Sequence, residues 1–145
     1  MDGLGPHIVL DGYQCDKEKL DDIDFIFDVL DEFPDRIGMT KIMPPYAFRH
    51  GEGGEAGISG FVLIAESHIS IHTFPEKRFL NLDIFSCESF DAREAVRFVK
   101  EAFRIRRVSW KLLHRGREFP RDLRASRKIV LLHRGSVRKE LVRKA

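Results

Sequence analysis

The sequence has few cysteines and no long apolar segment. Its 145 residues include only Cys15 and Cys87, too few for the disulfide framework of a small secreted domain. No apolar run approaches the roughly 20 residues that a membrane-spanning helix needs. Residues 1–6 also lack the basic start and apolar run of a signal peptide. We therefore expect two free thiols, no membrane contact and a cytoplasmic location.

Length and composition predict one globular domain over residues 1–145, with a hydrophobic share of 43% and a charged share of 33%. The net charge of +2 conceals an asymmetry, because residues 104–145 hold 15 Lys and Arg against 3 Asp and Glu. Such a segment can bind nucleic acid, but no nucleic-acid motif accompanies it. We expect residues 116–145 to be a basic C-terminal extension that packs on an acidic face of this chain or of a second subunit.

Hydrophobic periodicity predicts an α+β fold. The alternating or apolar runs typical of strands cover residues 7–13, 41–43, 60–65, 67–73, 82–87, 108–112 and, as a further possibility, 128–132. One helix is expected to begin at Asp16 and end just before Pro34, with Leu20, Ile23, Phe27, Leu30 and Phe33 on its apolar face. A second helix is expected to begin at Asp91. This order predicts a two-layer sandwich, an antiparallel sheet with helices packed on one face.

A loop is expected over residues 44–57, which begins with two prolines and is rich in glycine. It lacks the Gly-Lys-Ser/Thr ending of a phosphate-binding P-loop, so a flexible or gating loop is the simpler interpretation.

Residues 66–76 together with Cys87 hold the candidate chemistry. A zinc site on His68 and His72 is disfavoured, because four residues of strand separate their Cα atoms by about 13 Å. A serine hydrolase is disfavoured as well, because nothing around Ser67 resembles Gly-x-Ser-x-Gly. We therefore predict no metal ion, and two uses of the serine, histidine and thiol remain open: a nucleophilic site, or a cofactor made from the chain's own serine.

The sequence closely resembles the prokaryotic S-adenosylmethionine decarboxylases. The motifs that carry the resemblance are Glu-Ser-His at 66–68, Ile-His-Thr-Phe-Pro-Glu at 71–76, Asp-Ile-Phe-Ser-Cys at 83–87 and Gly-Ile-Ser-Gly at 57–60. The resemblance covers most of the chain. It implies a pyruvoyl enzyme that cleaves itself between Glu66 and Ser67, giving a β chain of residues 1–66 and an α chain of residues 67–145.

The resemblance also implies roles for the site residues. Ser67 becomes the pyruvoyl group, which forms a Schiff base with the substrate amine. His72 is the base of self-processing, and Cys87 returns a proton to the substrate carbon after CO₂ leaves. Ser59 assists the proton movements near the cleaved bond. Because strand alternation turns Ser67 and His72 to opposite faces, we expect a bend or bulge to bring them together.

The chain departs from the resemblance near the implied substrate pocket, because the segment 44–57 is longer than in relatives. Glu76 matches the residue that binds the ribose hydroxyls of S-adenosylmethionine, and Phe48, or Tyr46, is the candidate to stack on adenine. The implied assembly is a dimer of cleaved αβ units that supplies decarboxylated S-adenosylmethionine for spermidine synthesis. Two alternatives stay open: a pyruvoyl decarboxylase of arginine or ornithine, and a non-enzymatic homologue.

Overall fold

Residues 4–116 are described by a computed structural model of the chain. Residues 6–113 form one compact unit that contains every predicted site residue, and the described residues 4–5 and 114–116 belong to a second unit. The helices are Lys17–Leu20 (α1), Ile23–Arg36 (α2) and Ala92–Ala102 (α3). The strands are Gly5–Tyr13 (β1), Thr40–Lys41 (β2), Tyr46–His50 (β3), Gly57–Ala65 (β4), Ser67–Phe74 (β5), Phe79–Ser86 (β6) and Arg107–Arg115 (β7). The predicted extension 116–145, apart from residue 116, and the possible strand at 128–132 lie outside the described residues, and the single domain stays a prediction.

The seven strands form one sheet in the order β2-β4-β5-β6-β1-β7, with β3 pairing beside β2 on the outer edge of β4. The pairings of β4 with β5, β5 with β6 and β6 with β1 are all antiparallel. One core cluster contains the inward side chains of these strands together with buried residues of α2 and α3. The predicted α+β fold is therefore confirmed.

The two faces of the sheet have different surroundings. In β5, Ile69, Ile71 and Thr73 are buried, whereas the residues between them are partly or fully exposed. Buried Thr73 donates its hydroxyl to the Leu20 carbonyl at 2.7 Å and accepts the Ile58 N–H at 3.0 Å, so it joins the end of α1 to two strands. The face of the sheet that carries Thr73 is therefore the one that packs against the helices. The opposite face, here called the open face, carries His72.

The expected first helix is two helices. Asp22 accepts the Phe25 N–H at 3.0 Å and begins α2 as its N-cap, which ends α1 at Leu20. The predicted end at Pro34 is wrong, because α2 continues to Arg36 with Pro34 buried inside it. Phe27 is 37% exposed and does not join the apolar face. None of the helices in residues 4–116 is long and apolar enough to cross a membrane.

The predicted loop at 44–57 contains a strand. Residues 46–50 pair with β4 as β3, which places Phe48 opposite Ser59. Only the glycine-rich remainder forms the turn, including a short 3-10 helix at Gly53–Glu55. The candidate adenine-stacking residue therefore stands on the sheet itself.

Candidate active site

A row of side chains crosses the open face over five neighbouring strands. Registered pairs place Phe48 opposite Ser59, Ser59 opposite His72, His72 opposite Asn81 and Asn81 opposite Asp11. Directly opposed residues in an antiparallel pair share a face. Three of the predicted site residues therefore lie side by side, in what we call the histidine row.

At the centre of the histidine row, Ser59 and His72 form a hydrogen bond. The Ser59 Oγ lies 2.6 Å from the His72 Nδ1. Ser59 is buried, whereas His72 is exposed on the open face. When Nδ1–H donates to the hydroxyl oxygen, the Nε2 of the neutral imidazole keeps a free lone pair. This lone pair on the His72 Nε2 can accept a proton from a group that lies above the open face.

Two glycines allow the close packing around this serine. A Cβ at Gly57 would lie 1.8 Å from the Thr73 carbonyl oxygen, and one at Gly60 would lie 2.7 Å from the Leu30 Cδ1. Real Cβ atoms do not approach backbone that closely, so β4 pairs with β5 beside Ser59 only if position 57 is glycine.

A second group, here called the cleavage corner, surrounds the bond between Glu66 and Ser67 at the turn from β4 to β5. The Cys87 backbone N–H donates to the Glu66 carbonyl oxygen at 3.2 Å. Ser67 has a φ of +140°, in the range that favours glycine, so its backbone is strained. The carbonyl that the serine would attack is thus already polarised by a donor, in a locally strained segment.

His68 also belongs to the cleavage corner, although the sequence predicted no role for it beyond its place in the Glu-Ser-His motif. Its Nδ1 lies 3.5 Å from the Ser67 Oγ. That distance is too long for a strong hydrogen bond but allows contact after a small rotation. The adjacency of the two residues in sequence was the available signal.

The cleavage corner and the histidine row are separate within one chain. The pairing of β5 with β4 is continuous from Ser67, opposite Ile64, to His72, opposite Ser59. Five residues of unbroken strand hold their Cα atoms about 16 Å apart. The expected bend or bulge that unites Ser67 with His72 is therefore wrong, and His72 cannot reach the Cα of Ser67 in its own chain.

Glu76 lies past the end of β5, in the 3-10 turn Pro75–Lys77. Its Oε1 makes an ion pair with the Lys17 Nζ at 2.6 Å. The carboxylate is more than half exposed, so solvent can reach it.

Phe48 lies at the β3 end of the histidine row. It is 43% exposed and packs against Tyr46, with ring centroids 5.8 Å apart. Both aromatic rings are available to a flat ligand.

The two cysteines are free, as expected, and differ in environment. Cys87 is half-buried at the cleavage corner. Cys15 is almost fully buried, and desolvation raises the pKa of its thiol from 9.0 to about 11. Cys15 is therefore a neutral packing residue at physiological pH.

The raised pKa of Cys15 predicts a loss of stability in alkali. The unfolded thiol ionises from about pH 9, whereas the folded thiol stays protonated up to about pH 11. The folded state holds the extra proton in this window, so the free energy of unfolding falls by about 2 kcal/mol between about pH 8 and pH 10.5. Urea unfolding of the uncleaved Ser67→Ala chain measures this, and Cys15→Ala in the same background should flatten the slope. Equal slopes in the two proteins would contradict the assignment.

Within residues 4–116, no group of three or more His, Cys, Asp or Glu side chains is placed to hold a metal ion.

Comparisons with known proteins identify the family of the chain. The family model of S-adenosylmethionine decarboxylase matches residues 6–116. Among curated proteins, the S-adenosylmethionine decarboxylase proenzyme of Acidithiobacillus ferrooxidans is 38% identical over 117 residues, which cover 80% of this chain and 85% of the relative. The proenzyme of the same name from Pyrococcus furiosus is 35% identical over 119 residues, covering 81% of this chain and 83% of that protein.

A solved structure also matches. The adenosylmethionine decarboxylase from Aquifex aeolicus aligns with a TM-score of 0.69 and 29% identity, covering 80% of this chain and 93% of that one. The fold and the matched relatives define a decarboxylase of the lyase class. The chain belongs to the S-adenosylmethionine decarboxylase family.

Proposed function

We propose that this protein cleaves itself between Glu66 and Ser67, converts Ser67 to a pyruvoyl group and then decarboxylates S-adenosylmethionine. One observation carries the proposal: the Cys87 N–H donates to the Glu66 carbonyl directly beside a serine with φ +140°. Relatives named as proenzymes support it, because a proenzyme needs a maturation step.

Self-cleavage begins with attack of the Ser67 Oγ on the Glu66 carbonyl carbon. The C–O bond forms, the C–N bond breaks and the serine nitrogen takes up a proton, which leaves an ester. The Cys87 N–H stabilises the negative charge that develops on the Glu66 oxygen, since its donor is already in place. His68, 3.5 Å from Oγ, is positioned to accept the hydroxyl proton.

The ester is then broken by elimination. A base removes the α-proton of residue 67, and the Oγ–Cβ bond breaks with Glu66 leaving as a free carboxylate. The enamine that remains takes up water and releases ammonia, giving the pyruvoyl group. The residues around Ser67 fit this group, because Glu66 is exposed and the Cys87 backbone N–H already contacts the Glu66 carbonyl oxygen. Once formed, the pyruvoyl carbonyl supplies the electron sink for loss of CO₂.

The base for elimination comes, we propose, from a second copy of the chain. His72 has the required free nitrogen but lies about 16 Å along β5 from Ser67. The open face exposes apolar side chains, including Phe48, Phe61 and Leu63, each at least 37% accessible. Burying this face against a second sheet about 10 Å away is the usual way to cover such a surface.

A two-fold axis that runs between the two sheets, perpendicular to the strands, would bring the histidine row of one subunit next to the cleavage corner of the other. It reverses β5 of one subunit relative to β5 of its partner, so the partner's His72 overlies the cleavage corner. Each dimer then has two composite sites. This arrangement gives the cleaved protein four chains, two α and two β, and explains why one subunit holds the site residues in two groups.

The substrate would lie across the composite site. Glu76 is a candidate acceptor for the ribose hydroxyls, and Phe48 offers an exposed ring to adenine; such stacking contributes on the order of 1–3 kcal/mol. Cys87, beside residue 67, is the candidate proton donor to the α-carbon after CO₂ leaves. The decarboxylated product would serve as an aminopropyl donor for spermidine synthesis in the cytoplasm.

The proposal is tested with carboxyl-labelled S-adenosylmethionine. We expect the purified, cleaved protein to release labelled CO₂ from it and to release none from labelled arginine or ornithine. Fully cleaved protein that releases no CO₂ from S-adenosylmethionine would overturn the substrate assignment, and release from either amino acid would replace it.

Cys87→Ala separates turnover from maturation in the same assay. The backbone N–H that faces the Glu66 carbonyl remains in this variant, so the chain should still cleave. CO₂ release should fall by about 10²–10⁴-fold, because the α-carbon loses its proton donor. Cys15→Ala removes the other thiol and should retain near wild-type release. Full activity of Cys87→Ala would show that another group is the acid.

A further inference from the structure

We propose that the protein has a second ligand site, a cavity for a phosphate-bearing anion at the opposite end of β5 from Ser67. The cavity has a volume of about 510 Å³ and is lined by Lys17, Arg78, Arg104 and Arg106. A volume of this size suits a small molecule the size of a nucleotide. None of these residues belongs to the cleavage corner or the histidine row.

The electrostatic balance of the cavity favours an anion. Its four cations are accompanied by two carboxylates, Asp16 and Glu18. Asp16 is already committed, because it accepts two backbone N–H groups at the start of α1 and contacts the Arg104 guanidinium at 3.3 Å. The guanidinium groups of Arg78 and Arg106 have no ion-pair partner within residues 4–116. Two unpaired guanidinium groups beside one cavity are well suited to a phosphate group, which they can bind bidentately.

The backbone conformation of the residues that line the cavity also indicates a ligand site. The described chain has four non-glycine residues at positive φ, and three of them line this cavity: Gln14 at +54°, Arg78 at +48° and Arg104 at +50°. The fourth is Ser67. Arg78 and Arg104 each follow a helical turn, where glycine or asparagine is usual. Side chains held in such backbone often mark ligand sites.

The walls of the cavity are tied together by backbone hydrogen bonds. The Cys15 N–H donates to the Arg78 carbonyl and the Asp16 N–H donates to the Phe103 carbonyl, both at 3.0 Å. These bonds join the end of β1 to the turn before β6 and to the turn after α3. The backbone that carries Arg78 and Arg104 is thus fixed beside the cavity, so that binding has to order only the arginine side chains.

Lys17 links this cavity to the substrate site. It lines the cavity and also pairs with Glu76 at 2.6 Å. A phosphate group in the cavity competes for Lys17 and releases the Glu76 carboxylate to accept the ribose hydroxyls of the substrate. This coupling, which rests on the proposed function, makes the bound anion an activator that lowers KM and leaves kcat unchanged.

Calorimetric titration of the cleaved enzyme with sodium tripolyphosphate tests the cavity directly. We expect one site per subunit, weakened at least tenfold in Arg78→Asn/Arg106→Gln, because each loses a charge-assisted phosphate contact. Asparagine tolerates the positive φ at position 78. Arg106→Gln alone should show an intermediate loss and does not alter a strained position. Arg93→Gln/Lys100→Gln removes the same charge from exposed positions on α3 and should bind as wild type.

Three results would overturn the site: no binding at millimolar tripolyphosphate, equal weakening by both double variants, or citrate binding as tightly as tripolyphosphate. The coupling is tested separately by the KM for S-adenosylmethionine, which tripolyphosphate should lower in wild type and leave unchanged in Lys17→Met. An unchanged KM in wild type would refute the coupling. An enzyme without CO₂ release would refute the proposed function, while calorimetry would still decide the cavity.

Discussion

Ser67→Ala should remain a single uncleaved chain of 145 residues and release no labelled CO₂ above background. Alanine has no oxygen to attack the Glu66 carbonyl and no leaving group for elimination, so neither the cut nor the cofactor can form. Denaturing electrophoresis and intact mass measure the outcome: wild type should give residues 1–66 and a pyruvoyl-modified fragment from residue 67 onward.

Ser70→Ala is the matched control, a serine to alanine change three residues along the same strand. It should cleave and turn over as wild type. If Ser67→Ala were cleaved at the same bond, the chain's own serine would not be the nucleophile and the proposed cofactor would lose its origin.

Two inactive variants should restore cleavage when they are expressed together. His72→Ala alone should stay uncleaved, because it lacks the base for elimination. In a mixed dimer, the Ser67→Ala subunit supplies its His72 to the intact Ser67 of the His72→Ala subunit. With random pairing, roughly half of the His72→Ala chains find such a partner and should be cleaved.

The complementation experiment distinguishes the two possible sources of the histidine. Mass spectrometry of the mixture should detect cleavage only in the His72→Ala chain, since the other chain has no serine at position 67. Expressing His72→Ala with Cys87→Ala provides a check, because the latter also carries an intact His72. Persistent failure of both mixtures to cleave the His72→Ala chain would mean that His72 acts within its own subunit, against the 16 Å separation along β5.

The sheet was predictable from the sequence because strand alternation reflects burial. The patterns at residues 67–73 and 82–87 predicted β5 and β6, and Asp91 caps α3 as expected. The first helix was less predictable. Two consecutive aspartates at 21 and 22 compete to continue or to cap a helix, and Asp22 caps. Pro34 did not end α2, because its burial in the core offsets the hydrogen bond that it lacks.

Strand β3 was missed because short stretches of sequence do not show which strands pair. In residues 46–50, the aromatic residues Tyr46 and Phe48 alternate with Ala47 and Arg49, as in a strand. The segment lies between two prolines and a glycine-rich turn, however, and such turn residues favour the prediction of a loop. Pairing with β4 decides the matter, and such a pairing is not visible in a window of a few residues.

The candidate site was recognisable by its motifs but not in its geometry. Family resemblance named Ser67, His72 and Cys87. Ser67 and His72 lie five residues apart on β5, and in a regular strand this spacing excludes direct contact between them. An irregular strand would have allowed that contact. The donor from Cys87 to Glu66 depends on how β6 is registered with β5 across the turn at 75–78. Long-range register of this kind cannot be read from residue types alone.

The proposed cleavage between Glu66 and Ser67 has a consequence for how the mature protein would assemble. Strands β1 to β4 precede the bond and β5 to β7 follow it. In the sheet the two proposed products would meet along three boundaries, β4 with β5, β6 with β1 and β1 with β7. The products cannot part without dismantling the sheet, and separately unfolded fragments must find each other to rebuild it. Under the proposed function, the sheet therefore has to form in the uncut precursor, and the cleaved protein stays folded because its two products remain paired in that sheet.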